Sequence, residues 1–255
     1  MLCPKLNPLV VMLICLTLMV TGIAVAAPLE LLTHGSSGFI NEALFVQVDP
    51  DNSTGTGVIQ PFLHIQKNGV EEGYNTDYKP REFPDANSPW TKSLLLSDVP
   101  VVKVNNVNYR EFFLDINENT GGTNEFLSLD KLQIFLGSAG NLTNYPTGLG
   151  TLIWDMDAGN EGDTFIKLDY SLESGSGSGD MIAYIPDNLF VSGGPYVYLY
   201  SKFGEEVANL DGYDCSDGFE EWAVREAAVP EPSSMLAFCT GLISMIGVAT
   251  RKSRK

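Results

Sequence analysis

The stretch Val102-Lys103-Val104-Asn105-Asn106-Val107-Asn108-Tyr109-Arg110-Glu111-Phe112-Phe113-Leu114-Asp115-Ile116 decides the fold. It holds two apolar-rich runs separated by paired asparagines, a strong turn signal. In the second run Phe112, Leu114 and Ile116 share one face, and Glu111, Phe113 and Asp115 share the other. A period of two belongs to a β-strand, not to a helix.

The same grammar extends in both directions. Leu44, Val46 and Val48 alternate with Phe45, Gln47 and Asp49, while Ile59, Leu63 and Ile65 share a face of Val58 to Gln66. Leu132, Ile134 and Leu136 line one side of Leu129 to Leu136. Further strands are expected at Gly150 to Trp154, Phe165 to Leu172, Asp180 to Ile185, Tyr196 to Lys202 and Phe219 to Val224. Pro80 to Pro89 reads as an irregular loop and Gly175 to Gly179 as a hairpin tip. No sustained helical period and no internal repeat appears between Ala27 and Val224. About nine or ten strands at this spacing predict an all-β fold, an antiparallel β-sandwich of jelly-roll-like type.

Both ends of the chain read as addresses. Lys5, the apolar Leu9 to Val20 and the small residues Ala24-Val25-Ala26 form a secretory signal peptide over residues 1–26, with signal peptidase expected to cut after Ala26. At the other end, Val229-Pro230-Glu231-Pro232 precedes an uncharged run over residues 233–250, and Arg251, Lys252, Arg254 and Lys255 close the chain. Eighteen helical residues span ~27 Å, close to a hydrocarbon core of ~30 Å. The four terminal cations should stay in the cytoplasm, leaving the bulk of the protein on the far side.

This Pro-Glu-Pro, helix and basic-tip arrangement over residues 227–255 resembles the PEP-CTERM sorting signal of bacteria. The resemblance implies export, an inner-membrane intermediate held by the C-terminal helix, and processing near Pro230-Glu231-Pro232 by the transpeptidase exosortase. The destination it implies is the cell surface or the extracellular matrix. Thr54-Gly55-Thr56-Gly57-Val58, Gly73-Tyr74-Asn75-Thr76-Asp77, Phe113-Leu114-Asp115-Ile116-Asn117, Leu127-Ser128-Leu129-Asp130 and Asp217-Gly218-Phe219-Glu220-Glu221-Trp222 also look like domains that accompany this signal. They imply a secreted β-rich domain without assigned chemistry.

Between the addresses lie residues 27–226, one domain's worth of chain. They hold 31 Asp/Glu against 10 Lys/Arg, a net of −21. That charge argues against nucleic acid as a partner and suits a solvated extracellular domain. Cys215 is the one cysteine left in this region, so no internal disulfide is available. No basic residue lies near it in sequence to lower its pKa, and an inert, partly buried thiol is the expectation.

Three acidic loops are candidates for Ca²⁺, which needs six to eight hard oxygen donors at ~2.3–2.6 Å. In the first, Trp154 to Asp163, the ligands would be Asp155, Asp157, Glu161 and Asp163. It departs from the EF-hand pattern at Gly159 and Ile166, and turns favour the same residues. Asp115 to Gly122 and Asp211 to Gly218 are similar. Tyr196, Tyr198 and Tyr200 share one strand face; exposed, they would stack sugar rings of an extracellular polysaccharide, and buried, they would be core.

Catalytic signatures are sparse. His34 and His64 are the two histidines, neither beside a nucleophile motif. No zinc-ligand spacing and no phosphate-binding glycine loop is present. A glycosidase needs only two carboxylates across a cleft, which 31 acids can supply, so that class stays open though without a positive sign. The expectation is a surface or matrix protein with a structural or interaction role, with a carbohydrate-binding or adhesive module, Ca²⁺-dependent or not, as the alternative. No cofactor is required by either.

Overall fold

The computed structural model describes residues 28–48, 61–119, 121, 125–159, 163–174, 179–205, 213–216 and 218–225. The expected signal peptide, the Gly175–Ser178 tip and the whole sorting signal lie outside these residues. Among the described residues no helix is long and apolar enough to cross a membrane.

The described residues form fourteen strands in two seven-stranded sheets. The first sheet contains β1 (Leu29–Leu31), β5 (Glu71–Tyr74), β6 (Leu94–Leu95), β9 (Phe126–Gly137), β10 (Thr151–Asp155), β11 (Ile166–Asp169) and β13 (Tyr196–Phe203). Its order is β1-β11-β9-β13-β5, with β10 also on β9 and β6 also on β13. The second contains β2 (Ser37–Ile40), β3 (Ala43–Gln47), β4 (Pro61–Ile65), β7 (Val101–Val104), β8 (Val107–Asp115), β12 (Met181–Pro186) and β14 (Glu220–Ala223). Its order is β2-β3-β12-β8-β14-β4, with β7 on the free part of β8. All ten strands expected from sequence are present, and β1, β2, β5 and β6 are additional. One pairing departs from the antiparallel expectation: β1 runs parallel to β11, with Leu29 opposite Ile166.

The opening stretch folds as read. Val104 pairs with Val107 across Asn105 and Asn106, whose φ angles of +47° and +68° give the turn its left-handed backbone. Phe112 and Leu114 then face the common core, and Phe113 points to the opposite side with Val48 and Ile182.

That core is shared by the two sheets. Phe45, Phe112, Leu114, Met181 and Trp222 from one meet Leu129, Ile134, Val197, Leu199 and Phe203 from the other in a single buried cluster. Burial of these side chains, at roughly 1.5–3 kcal/mol each, is what holds a domain without disulfides together. In β9 the alternation changes parity: Leu127 and Leu129 face the core, then Leu132, Ile134 and Leu136 do. The change falls where Leu129 pairs with Phe203 but Lys131 pairs with Lys202, leaving Asp130 as the extra residue of a bulge.

Candidate functional site

The tyrosine strand sits at the centre of the first sheet. Tyr196, Tyr198 and Tyr200 point to its outer face, while Val197 and Leu199 point into the shared core. Tyr198 is fully buried and Tyr200 is 3% exposed. Their cover comes from two irregular segments of the chain. Tyr145 stacks on Tyr200 with ring centroids 4.1 Å apart, and Phe83 packs against Tyr74, Tyr145 and Tyr200.

Polar tips within this cluster are paired. Tyr198 Oη accepts the Leu142 N–H and donates to the Ala139 carbonyl. Tyr200 Oη donates to Glu72, and Tyr145 Oη donates to Gln133 Oε1 at 2.7 Å. One Glu82 oxygen accepts from Tyr74 Oη and from the backbone N–H groups of Asn144 and Tyr145, pinning the covering loop. The sugar-stacking reading of Tyr198 and Tyr200 is therefore corrected to the core reading, because the protein's own rings occupy the faces a sugar would need. Tyr196 is half-buried at the margin of this cluster.

The Asp155–Asp163 loop is held by a side chain far away in sequence. Asn41 Nδ2 lies 2.9, 3.0 and 2.8 Å from the carbonyl oxygens of Asp155, Met156 and Ala158. Trp154 Nε1 in turn donates to the Asn41 carbonyl at 3.0 Å. An amide donor thus occupies the point on which the loop's carbonyls converge. The side chains are also engaged: Asp155 accepts from Gln133 Nε2 and the Asp157 N–H, and Asp157 accepts the Thr164 N–H. Burial pushes the Asp157 carboxyl up to about 6; Asp155 and Asp163 add to the rise, and the Thr164 N–H and Lys131 oppose it. Asp163 is exposed, and Glu161 lies outside the described residues.

The other two acidic loops converge, which sequence spacing gives no means of seeing. Ser216 donates to Glu118 Oε2 through both its N–H and its hydroxyl, at 2.8 and 2.5 Å. The Asn119 N–H returns a bond to Ser216 Oγ at 3.2 Å. Cys215, next to Ser216, forms a two-way backbone bridge with Gly69. Its thiol is buried, as expected, and its pKa is driven upward by that burial and by the surrounding carboxylates of Glu71, Glu220, Glu118 and Asp130.

Two histidines complete the inventory. His64 stacks on Phe219 with centroids 4.7 Å apart, and burial lowers its pKa. His34 Nδ1 lies 3.5 Å from Glu173 near the domain surface. The carboxylates that sequence reading passed over are Glu71, Glu111, Asp180 and Glu220, all buried. The one signal available was a charged residue on an otherwise apolar strand, as in Phe219-Glu220-Glu221-Trp222.

Residues 228–255 match the family model of the PEP-CTERM protein-sorting motif. No curated protein and no solved structure matches the chain. The matched segment includes Val229 to Pro232 and the basic residues Arg251, Lys252, Arg254 and Lys255, all outside the described residues.

Proposed function

From the PEP-CTERM sorting motif that closes this exosortase-targeted, exported chain, we infer that its all-β domain is a structural or interaction module of the cell surface or extracellular matrix. The single observation that carries this reading is the motif itself, which directs the protein to membrane-associated processing. The domain's character supports it. Two β-sheets with a large shared core, a strongly acidic composition and an outer aromatic layer sealed by its own loops suit a durable non-catalytic cargo. Fractionation of paired strains tests it: with exosortase the domain should appear at the surface or in the matrix, and without exosortase in the inner membrane. Identical distribution in both strains would overturn the reading.

Carbohydrate binding is the second reading, and its support lies away from the tyrosine strand. Trp90 and Tyr78 are 60% and 45% exposed on a segment closed by Asp77, which accepts the Ser93 N–H and hydroxyl at 2.9 and 2.7 Å. Exposed aromatic faces on a braced loop suit stacking against sugar rings. A glycan array with wild type and Trp90→Ala decides between the two readings. Binding lost in the variant favours the carbohydrate reading, and no binding by wild type removes it.

A further inference from the structure

Glu71 in β5 meets Cys215 and Glu220, which lie five residues apart on the loop before β14 and at its start. One ligand-capable atom from each lies within 4.8 Å of the other two. All three residues are buried, with Glu71 and Glu220 each 1% exposed. Glu71 Oε2 accepts the Lys67 N–H at 2.7 Å, whereas Glu71 Oε1 is buried and has no hydrogen-bond partner. Among the described residues no cationic side chain forms an ion pair with Glu71 or Glu220. Two carboxylates facing each other beside a thiol, out of water, need something positive between them.

We propose that Glu71, Cys215 and Glu220 form a buried site for a thiophilic divalent cation, with Zn²⁺ the best fit. A mixed thiolate and carboxylate set suits the borderline-soft Zn²⁺ and is poor for Ca²⁺, which takes oxygen only. Tetrahedral zinc with bonds of about 2.0–2.3 Å spaces its ligands roughly 3.3–3.8 Å apart, so the three atoms need to close by at most about 1.5 Å. Glu118 is a positioning residue: its bonds from the Ser216 N–H and hydroxyl fix the segment that carries Cys215. Gly204 permits the approach, since a Cβ there would stand 2.3 Å from the Gly69 carbonyl and 3.3 Å from Cys215 Sγ.

Burial raises the pKa of both glutamates, most strongly that of Glu220. The site's depth means the ion is taken up as the domain folds.

The test uses the full chain, produced in medium supplying Co²⁺ in place of Zn²⁺ and purified in detergent. The expected result is about one Co²⁺ per chain by mass spectrometric metal analysis, with a thiolate-to-cobalt charge-transfer band. Cys215→Ser should abolish the band, whereas Cys239→Ser should keep it. Glu220→Gln preserves side-chain shape and can donate to Glu71, so it should fold. It should weaken retention against a graded chelator by at least roughly 100-fold. Absence of stoichiometric metal in folded wild type, or a band that survives Cys215→Ser, would overturn the site. Neither result touches the sorting-based reading of function.

Discussion

Trp222 Nε1 donates to Ser201 Oγ at 3.1 Å, and this bond crosses from the second sheet to the first through the shared core. Both residues are fully buried. Ser201→Ala therefore strands an indole N–H where no water can reach it. The expected loss is about 1–3 kcal/mol of unfolding free energy in urea titrations. Ser97→Ala, at an exposed pair with Asp98, should change stability by less than about 0.5 kcal/mol. Equal effects at the two sites would contradict the cross-sheet role of Ser201.

Asn41 makes a second prediction. Its amide ties three carbonyls of the Asp155 loop, and its φ of +45° favours Asn or Gly over Ala. Asn41→Gly removes the amide without backbone strain, and Asn41→Ala adds that strain. Both should speed amide hydrogen exchange at Asp157 and Ala158, with the alanine variant the less stable. With the Asp155, Met156 and Ala158 carbonyls already taken by the Asn41 amide, millimolar Ca²⁺ should leave the melting temperature of wild type unchanged. A clear rise would put a cation where the amide now sits.

How far these contacts were legible depends on their sequence separation. Phe112 and Leu114 could be placed in the core because a strand's faces alternate residue by residue, and the Asn105-Asn106 turn was equally local. The bulge at Asp130 left one trace, the change from Leu127 and Leu129 to Leu132, Ile134 and Leu136. The burial of Tyr198 and Tyr200 was open because Phe83 and Tyr145 reach them from irregular loops with no periodicity. Pairing of Glu118 with Ser216, like that of Asn41 with the Asp155 loop, joins residues about a hundred positions apart. Only the completed sheets bring such partners together.

Two half-buried acids contribute to the pH dependence, alongside the buried Glu71, Glu111, Asp180 and Glu220, whose pKa values burial also raises. Burial pushes Asp157 up to about 6 and Glu221 up to about 7, the latter with help from Asp115. Their folded pKa values exceed the unfolded ones near 4, so the folded state binds more protons in between. Their contribution to stability is therefore fullest below about pH 4 and is lost as pH rises through 6 and 7. Asp157→Asn and Glu221→Gln should each flatten the fall in urea midpoint between pH 4.5 and 7.5. An unchanged slope in the double variant would show that other groups control it.

The Tyr145–Tyr200 stack makes the covering loop part of the fold, not a lid. Tyr145→Ala should cost about 1–3 kcal/mol and diminish the near-ultraviolet tyrosine dichroism. Tyr196→Ala, at the margin of the same face, should do much less. The reverse order would place the structural weight of the strand at Tyr196.

The intact mass of the mature protein from a host with exosortase tests the central claim most directly. The account predicts a chain that has lost residues 1–26 and everything beyond the Pro230-Glu231-Pro232 region. A mature chain that still carries Arg251 to Lys255 would contradict it.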